Sequence, residues 1–162
     1  MNNLNNYIQE KLKINSKSKV NQHKYNYHPE DGRELEDLLV KLLGERGSNA
    51  DLNDIDVSKI EFMDYLFYSV NIAHKVGNIN ISEWDVSNVL SMEGMFMDCD
   101  FFNCDLSNWN VSKVNNMYCM FKNCEEFTAY GLDKWKLRKD CDTKQIFLHC
   151  TNVPDIKLNN CL

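Results

Sequence analysis

No apolar run in this 162-residue chain approaches the roughly 20 residues a bilayer-spanning helix needs. The opening stretch MNNLNNYIQEKLKINSKSKV also lacks the short apolar core of a secretion signal. Both absences predict a cytoplasmic protein with no membrane contact. A basic excess is missing too. Lys and Arg number 18 against 24 Asp and Glu, a formal net charge of −6, so direct nucleic-acid binding is not expected. Cysteine occurs 7 times, but no pair has C-x-x-C spacing, and a reducing compartment makes these thiols packing residues. There is no G-x-S-x-G, Walker loop, G-x-G-x-x-G or H-E-x-x-H, so no catalytic residue, cofactor or metal is expected and an enzyme reading has nothing to rest on. The histidines, His23, His28, His74 and His149, are scattered and read as solvated or hydrogen-bonded side chains.

What the chain does have is an ordinary globular composition, with 43% hydrophobic and 26% charged residues, enough for one folded unit. It also has an internal repeat. Trp84, Val86, Val89, Met92, Met95, Phe96, Cys99 and Phe102 return 25 residues later as Trp109, Val111, Val114, Met117, Met120, Phe121, Cys124 and Phe127. Weaker copies flank them. Ile55, Val57, Ile60, Met63, Leu66 and Phe67 match at a shift of 29, and Trp135, Leu137, Phe147 and Cys150 at a shift of 26, which makes four units.

Within a unit the apolar period changes. Trp84 and Val86 alternate at strand spacing, with Glu83, Asp85 and Ser87 facing out. Val89, Met92, Phe96 and Cys99 then follow steps of three and four, a helical stripe, with Ser87 and Ser112 placed as N-caps. Such units stack, because none can bury its apolar side alone. Upstream, PEDGRELEDLLVKLLGERG puts Leu35, Leu38, Leu39, Leu42 and Leu43 on one stripe between early acids and late bases and glycines, an amphipathic helix. The expected architecture is an α/β solenoid of about four leucine-rich-repeat-like strand-helix units with an N-terminal strand-helix cap. Its parts would be a polar arm over 1–22, capping strand and helix over 23–50, repeats over 51–154 and a tail over 155–162.

The run W-D-V-S-N-V-x-x-M-x-x-M-F-x-x-C-x-x-F-N followed by D-L-S-x-W resembles the repeat of BspA-like leucine-rich-repeat proteins, also abundant in mycoplasma surface lipoproteins. That resemblance is specific over 81–132 and tapers across 51–154. It implies an α/β solenoid that binds other proteins without catalysis. The segment EKLKINSKSKV and the acidic helix also resemble small proteins of gut-bacterial phages and mobile elements, which implies a phage-encoded accessory protein with a host or phage protein as partner.

The residues between the repeated apolar positions carry the functional expectation. Asp54 and Asp56, Glu83 and Asp85, Asn108 and Asn110, then Lys134, Lys136 and Arg138 grade from acidic through neutral to basic on the outward strand positions. A graded field orients a partner of opposite polarity. Reading that run as a solvated closing unit weighs equally on charge patterning alone. Tyr65, Tyr68, Phe101 and Tyr118 are further contact candidates. The leading expectation is therefore a non-catalytic protein-binding module. A second is an inhibitor of a host defence system, anti-CRISPR-like, in which Asp51, Asp54, Asp56, Glu83 and Asp85 imitate phosphate or the body blocks sterically; a third is a surface adhesin. Cys99, Cys124 and Cys150 are expected to form a buried thiol ladder, with Cys104 and Cys119 as candidates for exposure.

Overall fold

A computed structural model describes residues 25–68, 73, 76–154, 156 and 158. The arm expected over 1–22, and His23 and His74, lie outside them. Helix α1, Gly32–Arg46, occupies the leucine stripe and buries Leu35, Leu39, Leu42 and Leu43. It starts where Asp31 accepts the backbone N–H groups of Arg33 and Glu34 through its carboxylate. It stops at Gly47, whose φ of 85° suits a residue without Cβ and whose N–H returns to the Leu43 carbonyl.

Downstream of α1 the regular elements end. Among the described residues there is one α-helix, a short 3-10 turn over Leu132–Lys134, and isolated parallel bridges with no strand or sheet. The expected α/β solenoid of strand-helix units is thus incorrect, and the expected N-terminal strand is a single bridge between Tyr27 and Ile55. The repeats are instead coils made of consecutive turns. One ladder of bridges runs Phe62, Ser91, Asn116, Asp142, one residue per coil at intervals of 29, 25 and 26 residues. We number coils 1 to 4 by these four residues.

The reason no helix forms is visible in the dihedral angles. Coil 2 carries Gly94 at φ 55° and Asp98 at φ 59°, coil 3 carries Cys119 at 56° and Asn123 at 62°, and coil 4 carries Gln145 at 57° and His149 at 63°. A left-handed residue at every fourth position interrupts the right-handed path that an α-helix requires. The backbone finds other partners. Met92, Gly94, Phe96 and Asp98 donate to the carbonyls of Asn116, Tyr118, Met120 and Lys122 in the next coil, each at 2.9 Å. The intervening Met95, Met97 and Cys99 donate three residues back within their own coil. Alternate N–H groups therefore close turns and join coils, which satisfies the chain without helix or sheet. Ser87 and Ser112 cap no helix; their N–H groups go to the side chains of Asp85 and Asn110.

The apolar stripe still faces inward. Phe67, Phe96, Phe121 and Phe147 stack along the axis with successive ring centroids 5.1, 5.5 and 5.9 Å apart. Each Trp indole N–H reaches a carbonyl of the preceding coil, Trp84 to Leu52, Trp109 to Ile81 and Trp135 to Leu106, so three large rings are buried with their one donor paired. Cys99 and Cys124 are buried and Cys150 half-buried. Their thiols lie against the carbonyls of Phe67, Phe96 and Phe121 in the preceding coil. Cys104 and Cys119 are buried as well, against the expectation of exposure.

Candidate binding face of the stacked turns

Because the register between coils is fixed by the core, the polar residues between core positions come to lie in columns. Glu83, Asn108 and Lys134 form one and Asp85, Asn110 and Lys136 another, all six exposed. Asp54, Asp56 and Arg138, expected on the same surface, are half-buried. These positions sit in turns rather than on strands, and that changes what several of them do. Asp56, Asp85 and Asn110 each accept the N–H of the serine two residues on, at 3.1, 3.1 and 3.2 Å, which pins the local turn. Lys136 takes the fourth place in that column, and in its coil Arg138 is held by both carboxylate oxygens of Asp140 at 2.8 and 2.7 Å.

The acidic end is partly neutralised by residues of the N-terminal cap. Arg46, in the last turn of α1, grips both oxygens of Asp54 at 2.8 and 2.9 Å, and Asn26 adds a third bond at 2.8 Å. The Arg46 guanidinium holds the Asp54 carboxyl below its ordinary value, with burial acting in the opposite direction. His28 lies 3.2 Å from Asp56. Tyr25 stands in the field of the same acids; burial first, then Asp56, Asp85 and Glu83, raise its hydroxyl pKa. Sequence reasoning missed Tyr25, His28 and Arg46 here. KYNYH carries no motif that announces a contact 28 residues away, and Arg46 was legible only as a helix-terminal base.

The aromatic candidates divide. Tyr65 and Tyr68 have centroids 5.8 Å apart. The Tyr65 hydroxyl donates to Glu93, whose other oxygen accepts Asn116 at 2.9 Å, and Tyr118 donates to Gln145 at 3.1 Å. Glu93 pushes the Tyr65 hydroxyl up to about 12, with burial adding to it. Phe101 is 61% exposed and makes no ring contact with them. Among the described residues no hydrogen bond or ring contact joins these aromatics to the charged columns. No group of three or more metal-ligating side chains stands together there either.

Stacked short coils with a uniform core and a variable exposed face define a repeat protein. The chain belongs to the family described as "Mycoplasma protein of unknown function, DUF285", which matches residues 39–160 and is the family of BspA-like mycoplasma repeat proteins. No curated protein and no solved structure matches the chain. Among the described residues no helix is long and apolar enough to cross a membrane.

Proposed function

We propose that this chain is a non-catalytic protein-binding module that presents the columns Glu83–Asn108–Lys134 and Asp85–Asn110–Lys136 to its partner. One observation supports this reading above the others: at equivalent exposed places in successive coils the charge changes from acid to amide to base, while the buried Trp and Phe beside them hardly change. Asp85 and Asn110 also close their own turns, but the fold asks for no grading of charge along the columns, and the graded sign suits the orientation of a partner with opposite polarity. The cap bears on the gradient, because Arg46 occupies the half-buried Asp54 whereas Glu83 and Asp85 lie on the exposed surface.

Within this reading the setting is a bacterial cytoplasm and the gene a phage or mobile-element accessory gene, which rests on the resemblance of EKLKINSKSKV. The phosphate-imitating inhibitor is less well supported. Of its five acids, Asp54 is paired with Arg46, which removes part of the negative charge that imitation needs.

The test compares wild type with a Lys134→Glu, Lys136→Glu variant in capture from bacterial lysate at low and moderate salt. Both lysines are exposed, so the melting temperature should hold while the partner retained by wild type is lost. Equal capture by the two proteins would overturn the reading.

A further inference from the structure

The charge of this chain is divided unequally along its length. Residues 1–24 hold five of the 18 basic residues, Lys11, Lys13, Lys17, Lys19 and Lys24, and one of the 24 acids, a net +4. Residues 25–162 hold the other 13 bases and 23 acids, a net −10. The chain joins the stack at the acidic end of the side face. The Asn26 N–H donates to the Asp54 carbonyl at 2.8 Å and the Asp56 N–H to the Tyr27 carbonyl at 2.9 Å, so residues 26–28 lie along 54–56 as one more rung. Asn26 therefore stands at the head of the column that continues through Asp54 and Glu83, and His28 at the head of the one through Asp56 and Asp85. Tyr25 stands beside them, its ring edge-on to His28 with centroids 6.2 Å apart and its hydroxyl in the field of Asp56, Asp85 and Glu83. Lys19 is six residues from Tyr25, a length of chain that spans up to about 20 Å. Glu83 and Asp85 are two rungs beyond residues 26–28, at about 5 Å a rung.

We infer that the lysines of residues 11–19 dock in cis on Glu83 and Asp85, so that the chain carries its own occupant for the acidic end of the side face. Spacing selects these residues. The sequence holds two Lys-x-Lys pairs, Lys11 with Lys13 and Lys17 with Lys19, and the exposed acids of coil 2 form the matching pair Glu83-Trp84-Asp85. Alternate residues of an extended chain lie about 6.5 Å apart on one side, so a Lys-x-Lys pair laid along this coil sets one ammonium against each carboxylate. Coil 1 fits less well. Its Asp54 is gripped by Arg46 and Asn26, and its half-buried Asp56 accepts both the N–H and the hydroxyl of Ser58. Coils 3 and 4 offer amides and then Lys134 and Lys136, which repel a cationic segment. A single exposed ion pair is weak, but a short tether supplies a high local concentration, which favours the chain's own lysines over those of a second copy. Any effect of this docking on partner capture rests on the side-face reading proposed above; the docking itself does not.

Carbodiimide coupling of the full chain, dilute and at low salt, is the test, since it joins amines to carboxylates already in contact. Peptide mapping should find Lys11, Lys13, Lys17 or Lys19 linked to Glu83 or Asp85 about 10-fold more often than to Glu34, Asp37, Glu125 or Glu126, which are also exposed. The yield should fall about 10-fold in about 1 M salt. In an equal mixture of isotope-labelled and unlabelled protein the links should stay within one chain. As a second measurement, the variant Lys11→Gln, Lys13→Gln, Lys17→Gln, Lys19→Gln should shift the amide resonances of Glu83 and Asp85 and leave those of Glu125 and Glu126 in place. The inference is overturned by links spread evenly over the exposed acids, or by Glu83 and Asp85 resonances that ignore the Gln variant. Links that join labelled to unlabelled chains overturn it too, because they make a second copy the occupant. No partner enters these measurements, so they stand apart from the side-face reading. If Lys134→Glu, Lys136→Glu left capture unchanged while the within-chain links persisted, that reading would fall and the docking would hold.

Discussion

Gly94→Ala separates a coil of turns from the helix that the apolar spacing suggests, because the two predict opposite signs. In a helix interior the change would stabilise by roughly 0.5–1 kcal/mol, as alanine is the better helix former. In this fold Gly94 has φ 55°, and an added Cβ would lie 2.5 Å from Cε1 and 2.6 Å from Cδ1 of Tyr65. Left-handed backbone costs a residue with Cβ about 1–2 kcal/mol. Tyr65 is 40% exposed and can swing away, but it then gives up its bond to Glu93, a further loss of about 0.5–1 kcal/mol. The expected destabilisation is about 2 kcal/mol, which for a chain of this size lowers the melting temperature by roughly 4–8 °C. Thermal melting followed by near- and far-ultraviolet circular dichroism reads it, with urea unfolding as a second measure. Repeating the substitution on a Tyr65→Ala background should recover the part due to the ring and leave about 1 kcal/mol of backbone strain. A variant that melts higher than wild type would refute the turn geometry.

Other outcomes follow from the core and its caps. Trp109→Phe keeps a ring in the column but deletes the indole donor to Ile81, and since that carbonyl still accepts Trp84 N–H, the loss in urea unfolding should stay near 1 kcal/mol; a loss of several would contradict it. The Asp54 carboxyl titrates below its ordinary 3.8 in the folded state, so its stabilising effect is complete above that value and vanishes as pH falls through the lower one. Asp54→Asn should therefore flatten the acid limb of the stability curve, and an unchanged limb would show that Arg46 does not hold it. Burial raises the thiol pKa of Cys99 and Cys124, and burial followed by Asp140 and Asp142 pushes Cys141 up to about 11. Near pH 8, with thiolate scarce, iodoacetamide should leave Cys99 and Cys124 of the folded chain unmodified until denaturant is added. Rapid modification of either would contradict their place between the coils.

The register of the stack was legible in the sequence, because the side chains that recur at shifts of 29, 25 and 26 are those that meet their own copies in the core. The local path was not. Val89, Met92, Phe96 and Cys99 fall at helical spacing, yet turns closed three residues apart bring the same positions inward. The signal against a helix lay in the polar residues: Gly94, Asp98 and Asn123 belong to the types that adopt left-handed backbone with least cost. Cys119 and Gln145 take that conformation with no such signature. The candidate face was half legible. Sign and order of charge are read directly, whereas D-x-S and N-x-S have the spacing of outward strand positions although each is a side chain closing its own turn. The pairing of Asp54 with Arg46 joins a helix end to the first coil, and nothing local to either residue indicates it.

The most direct test of binding through a graded face is a charge exchange along one column, Glu83→Lys with Lys134→Glu, which leaves the net charge at −6. Both positions are exposed. If the order of charge along the stack orients the partner, affinity for the captured partner should fall about 10-fold or more at low salt, with the melting temperature within a few degrees of wild type. An exchanged protein that binds with wild-type affinity would contradict it.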